Sequence, residues 1–255
     1  MPAEWNRREL LTAAGAGAAA LTLPGRARAF GAPSMLDVAE IVIPGTTVHR
    51  PGAWKRLLFE VIQTTSVEAS PLTVQVEPED PALFEHPFSV LVGDGPITGL
   101  SDKGVQQIER YLSYGGFLLI DDVSGTGQGQ FADSIRTLCQ RIFPTRPMAP
   151  IPADHAVYRS FFMLDRPVGR TLGPGFLEGV STGPTTPLIF CGADLSGALD
   201  RSPSGQDRYP VVPGGTHQRR EALKLGVNLV LYALTSNYKH DTAHVLELMR
   251  EGRIE

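Results

Sequence analysis

The chain has 255 residues, with 23 Lys or Arg against 27 Asp or Glu, a net charge of −4 and no basic run in its main body. That balance argues against a binder of nucleic acid or of anionic membrane surfaces, which need clustered positive charge. Its 42% apolar content suits one large core, and past the N-terminal segment no apolar stretch is long enough to span a bilayer.

The first segment carries Asn6-Arg7-Arg8-Glu9-Leu10-Leu11-Thr12, then a mildly apolar Ala/Gly stretch to Leu23, then the A-x-A site Ala27-Arg28-Ala29. A charged region, an apolar region and a small-residue cleavage site in that order read as a twin-arginine export signal. The expected organisation is a signal peptide at 1–29, a linker at 30–36, one α/β domain at 37–246 and a tail at 247–255. The expected location is the periplasm, or outside the cytoplasm by the same route. Cleavage after Ala29 removes four of the 23 basic and two of the 27 acidic groups, leaving 226 residues near −6.

Beyond the linker, Asp37 to Ile43 alternates as a strand, and Gly52 to Glu68 has helical spacing through Trp54, Leu57, Leu58, Val61 and Ile62. Leu72 to Val76 predicts a second strand, and Phe88 to Val92 a strand covered on both faces. Ser101 is a natural cap for a helix that ends at Gly115-Gly116, and Phe117 to Ile120 follows as a strand. Gln130 to Phe143 predicts a third helix, Pro187 to Cys191 another buried strand, and His217 to Leu234 a long helix apolar nearly all round, with Thr216 as its cap. Thr145 to Asp154 and Gly192 to Gly215 read as long loops. The alternation implies an α/β fold, a parallel sheet with helices on both faces in a single domain. Cys139 and Cys191 read as buried free thiols, because a chain that folds before export does so in a reducing compartment.

Ligands of open parallel sheets bind beyond the carboxyl ends of the strands. That rule selects Gly93-Asp94-Gly95, Asp121-Asp122 and Gly192-Ala193-Asp194. Adjacent Asp121 and Asp122 repel each other unless something offsets them. Either a hard divalent cation sits there, or one carboxylate caps a helix while the other meets water. No other cofactor motif is evident. The loop Gly125-Thr126-Gly127-Gln128-Gly129 lacks both the G-x-G-x-x-G spacing and a following Lys, so it reads as a surface loop.

Three further clusters carry candidate ligand-binding residues. Asp154, His155, Tyr158 and Arg159 place acid–base and carboxylate-orienting groups within one short stretch. His217, Arg219 and Arg220 stand at the start of the long helix, where cations oppose the helix dipole and call for an acidic partner such as Asp154 or Asp194. His240-Asp241-Thr242-Ala243-His244 resembles the spacing of a zinc-hydrolase helix. Asp in place of Glu and the lack of a third ligand favour a plain terminal helix.

The segments D-H-x-x-Y-R-S-F-F, C-G-A-D-L-S-G-A and Q-R-R-E-A-L-K-L-G-V-N-L-V-L-Y-A-L-T-S-N-Y-K resemble the bacterial family known as domain of unknown function 4159, over about Met35 to His244. The resemblance implies a class I glutamine amidotransferase-like fold and no particular reaction. In that fold a nucleophilic Cys stands on a tight Gly-flanked turn after a central strand. Here the matching strand end is Ile120-Asp121-Asp122-Val123-Ser124, without a Cys, and Cys191 lacks the glycine two residues before it. The expectation is an exported, non-catalytic α/β domain that binds a small ligand or an envelope partner through Asp154, His155, Tyr158, Arg159, Asp194, His217, Arg219 and Arg220. One alternative is a metal-assisted hydrolase using Asp121, Asp122 and His155. A second is a structural envelope component whose polar residues form internal ion pairs.

Overall fold

The computed structural model describes residues 35–250, with side chains through Ser236. Seven strands form one sheet in the order β2-β1-β3-β4-β7-β6-β5. They are β1 (Leu36–Ile41), β2 (Ala69–Val76), β3 (Phe88–Gly93), β4 (Phe117–Asp122), β5 (Ala149–Pro150), β6 (Glu178–Thr182) and β7 (Thr185–Cys191). The first five in that order are mutually parallel; β6 and β5 extend the sheet antiparallel beyond β7. The helices are α1 (Pro51–Thr64), α2 (Asp102–Ser113), α3 (Gln130–Ile142), the short α4 (Leu195–Leu199) and α5 (Gly215–Arg250).

Side-chain alternation divides the core into two halves. Phe88, Val90, Val92, Phe117, Leu119, Ile189 and Cys191 face one side, against Trp54 and Leu57 of α1, Leu199 of α4 and Leu225 of α5. Leu91, Leu118, Ile120, Leu188 and Phe190 face the other, against Ile108 and Leu112 of α2 and Ile135 and Leu138 of α3. The α/β class and the mostly parallel sheet with helices on both faces are therefore as the sequence predicts. Ser101 caps α2 as expected, its Oγ accepting from Gly104 N–H at 3.0 Å. The two cysteines are free and buried, and the sheet separates them: Cys139 packs on the α2/α3 side and Cys191 on the other.

Some expectations need correction. The sheet is not wholly parallel, and β5 and β6 lie in segments whose sequences carry too few alternating apolar residues to announce a strand. Within β6 only Gly179 and Val180 are buried, and Gly179 is small because a Cβ there would lie 2.6 Å from Thr186 Cγ2. The stretch 192–215, expected as a loop, contains α4. Helix α5 begins at Gly215, so Thr216 lies inside its first turn; Gln218 Oε1 instead accepts from Gly214 N–H at 3.0 Å. No helix among the described residues is long and apolar enough to cross a membrane. The twin-arginine segment lies outside the described residues, as do the side chains of His240 and His244.

Candidate functional site

The carboxyl ends of the parallel strands hold a buried polar network. Residue 121 points to the α1/α4 side of β4 and residue 122 to the other, as strand alternation requires. Asp121 accepts from Leu195 N–H at 2.8 Å and Ser196 N–H at 2.7 Å, and so caps α4 across the sheet. Full burial and then the nearby Asp194 charge push its carboxyl up to about 7. Asp122 accepts from Ser124 N–H at 2.9 Å, Ser124 Oγ at 2.7 Å and Gly127 N–H at 2.9 Å. The glycine-rich loop thus turns amide donors inward onto Asp122 instead of presenting them to an anion. Gly192 lets the chain leave β7 close to this loop, since a Cβ on Gly192 would lie 2.5 Å from Gly127 Cα.

Asp194 is the hub of this edge. It is fully buried with φ at 56°, a left-handed conformation that Asp tolerates better than most residues. Its carboxylate accepts from Arg50 Nη1 at 2.6 Å, from Arg170 Nε and from Gly197 N–H at 2.9 Å. Tyr209 stacks on the Arg50 guanidinium with 4.7 Å from Cζ to the ring centroid. Arg170 N–H donates to the Asp194 carbonyl at 2.9 Å and Thr171 N–H to the Ala193 carbonyl at 3.1 Å, which fixes the 165–172 loop against the end of β7. Buried Gln218 completes the hold by donating Nε2–H to the Gly169 carbonyl at 2.9 Å.

That loop and the start of α5 enclose an open hollow of about 600 Å³, lined by Asp165, Arg166, Val168, Leu172, His217 and Glu221 among others. Its floor is aliphatic and its rim carries both signs of charge. His217 is exposed at the rim and Arg220 points to water, whereas Arg219 turns inward. Arg219 donates Nη2–H to the Tyr209 carbonyl at 2.6 Å and pairs through Nε with Asp207 at 3.1 Å.

The Asp154–Arg159 cluster stands elsewhere. His155 Nε2 lies 3.2 Å from Thr186 Oγ1 at the first residues of β7, whereas Asp194 lies beyond its last. Val157 N–H donates to His155 Nδ1 at 3.2 Å, so the neutral ring carries its proton on Nε2 and donates to Thr186. Burial lowers the pKa of this imidazole and holds it neutral. Tyr158 Oη accepts from Leu177 N–H at 3.0 Å, and burial raises its pKa. Arg159 is exposed and donates to the backbone carbonyl of Asp154, which is exposed too. Of the residues chosen from sequence, the structure brings Asp194 and His217 to one region, through the 165–172 loop. It places His155 at the opposite end of β7, while the Tyr158 hydroxyl meets Leu177 beside the Glu178–Phe190 pair near the carboxyl end of that strand.

Arg50, Arg170, Gln218 and Asn228 were not anticipated. Arg50 had a readable signal: a cation immediately before the Pro51-Gly52 helix start opposes the helix dipole and calls for a buried acidic partner. Asn228 had only its position in an otherwise apolar helix. Among the described residues no group of three or more His, Cys, Asp or Glu is arranged to hold a metal ion.

The architecture defines a single-domain α/β protein with a mostly parallel seven-stranded sheet. A family profile described as "Domain of unknown function (DUF4159)" matches residues 39–234, and the chain belongs to that family. No curated protein matches it.

Proposed function

We propose that this chain is an exported, non-catalytic α/β domain that binds a small ligand in the hollow between the 165–172 loop and α5. The observation that carries the reading is the hollow itself. About 600 Å³ with an aliphatic floor and a few polar groups at its rim matches the ~300–1,000 Å³ sites that hold small molecules. The Arg50–Asp194–Arg170 network holds its wall in place. Export rests on the Arg7-Arg8 segment and Ala27-Arg28-Ala29. The five parallel strands support the likeness to the glutamine amidotransferase-like fold.

The absence of catalysis is supported by the state of the thiols. Burial pushes the Cys139 thiol up to about 12 and the Cys191 thiol well above its ordinary value, so neither supplies a thiolate. A metal-assisted hydrolase has less support, because Asp121 and Asp122 point to opposite faces and His155 stands at the far end of β7.

The test is native mass spectrometry of the mature protein recovered from its exporting cells, beside the Leu172→Trp variant, which fills the hollow. A retained small mass present in the first and lost in the variant supports the reading. A bare mass in both, with no melting shift across a panel of amino acids, sugars and small carboxylates, overturns it.

A further inference from the structure

The hollow between the 165–172 loop and α5 is lined by few polar side chains, and some of these are already engaged within the protein. The Gln218 amide is one: Oε1 accepts from Gly214 N–H, and Nε2 donates to the carbonyls of Gly169 and Val212, each at 2.9 Å. Glu221 is another, paired with Lys224 at 2.8 Å. Left over are Asp165, Arg166 and His217, all exposed on the lining, whose side chains form no ion pair or hydrogen bond among the described residues.

These groups set a charge pattern. Asp165 and Arg166 are neighbours in the chain and line the same hollow, yet they do not pair with each other. A ligand with a single negative charge would be drawn to Arg166 and repelled by Asp165, and a single positive charge would meet the reverse. A ligand that carries both charges on neighbouring atoms satisfies both residues. The planar guanidinium fork of an arginine matches a carboxylate in particular, through two parallel N–H···O bonds.

The floor selects the rest of the molecule. Val168, Leu172 and Pro213 line it with aliphatic surface, and Val168 is buried. With the Gln218 amide engaged at both of its polar atoms, the floor offers no free side-chain donor. A polar side chain placed there would give up water without a replacement partner, whereas an aliphatic one gains by leaving water.

We propose, on the reading of this hollow as a ligand site, that its ligand is an aliphatic α-amino acid. The carboxylate is held by the Arg166 fork with His217 beside it, the ammonium donates to Asp165, and the side chain lies on Val168, Leu172 and Pro213. The unpaired charges of Asp165 and Arg166 sum to zero, as do those of the ligand.

The experiment is calorimetric titration of the full mature chain with leucine and three compounds of similar shape: asparagine, isocaproate, which lacks the ammonium, and isoamylamine, which lacks the carboxylate. Saturable binding of leucine is expected, with each of the other three weaker by about tenfold or more. Arg166→Gln should bind leucine no better than the amine, and Asp165→Asn no better than the acid; both positions are exposed, so the fold is kept. Leu172→Trp should abolish binding. Equal binding of leucine and any of the three, or undiminished leucine binding in any of these variants, overturns the assignment of the ligand. So does a retained mass that Leu172→Trp loses, in a protein that ignores leucine, and the hollow then remains a site for another ligand. A bare mass with no response to any of the four compounds overturns this proposal together with the reading it rests on.

Discussion

Arg50 donates Nη1–H to Asp194 Oδ1 at 2.6 Å, joining residues 144 positions apart in the chain. Both are buried, and in the sheet β3 and β4 stand between the strands they follow. The 43–50 loop runs over the end of β3 to bring the guanidinium there, and Arg170 reaches the same carboxylate from the third segment of the edge. One carboxylate therefore holds together the turn after β1, the turn after β7 and the wall of the hollow.

Removing one partner leaves the other charge buried and uncompensated, which costs about 3–5 kcal/mol. Asp194→Ala is expected to lose that much in urea unfolding, because it strands two guanidinium groups. Arg50→Met, which keeps volume and leaves Arg170 in place, is expected to lose less. Equal and small losses in both variants would remove the hub role from Asp194.

Asp121 makes stability depend on pH with a definite sign. Its carboxyl sits near 7 when folded, above the ~3.9 of an unfolded Asp, so the folded state holds the proton more tightly. The stability this group adds is whole below about pH 4 and is lost as pH rises through 7. Asp121→Asn cannot titrate, and its amide leaves one of the Leu195 and Ser196 N–H donors unpaired, a cost of about 1–3 kcal/mol. The gap in unfolding free energy between the two proteins should be widest near pH 4.5 and narrow toward pH 8. A gap that widens with pH would contradict the assignment.

The thiols give a third expectation. Cys139 and Cys191 are the only two cysteines, and each is walled into a different half of the core. Intact mass under non-reducing alkylation should show no label on the native protein and two labels after denaturation. A disulfide, or prompt native labelling, would contradict the geometry.

Asn228 is the clamp of the 157–162 segment. Its Oδ1 accepts from Phe161 N–H at 3.2 Å and Phe162 N–H at 2.7 Å, while Nδ2 donates to the carbonyls of Val157 at 3.0 Å and Phe162 at 2.8 Å. Asn228→Leu strands these groups and is expected to cost about 2–4 kcal/mol, the cost of several buried unpaired polar groups partly relieved by water. Hydrogen exchange at the Phe161 and Phe162 amides should accelerate more than at β3. Unchanged protection at those amides would show that the loop holds itself.

Local rules made much of the framework legible. Ser101 announced α2 by its capping chemistry, and the run Phe88–Val92, apolar but for Ser89, announced a strand covered on both faces. Each signal lies within a few residues of what it predicts. The Asp121-Asp122 pair shows where that reach ends. Adjacency suggested mutual repulsion, whereas strand alternation turns them to opposite faces, where partners from residues 195–196 and 124–127 meet them. The polar cluster at 154–159 looked like a pocket because its residues are close in sequence. Its bonds go to Thr186, Leu177 and the backbone, none of which a local pattern identifies. Strands β5 and β6 escaped notice because their pairing, and not their composition, makes them strands.

The two margins of the sheet have unequal consequences for self-association. On one side the sheet ends in β5, two residues long and half proline, which offers an incoming chain almost no backbone to pair with. On the other it ends in the eight-residue β2, where Leu72 and Val74 are exposed. Growth of a fibre by strand addition requires two receptive margins on each copy. With one receptive margin among the described residues, pairing through β2 would be a two-fold handshake that stops at two copies.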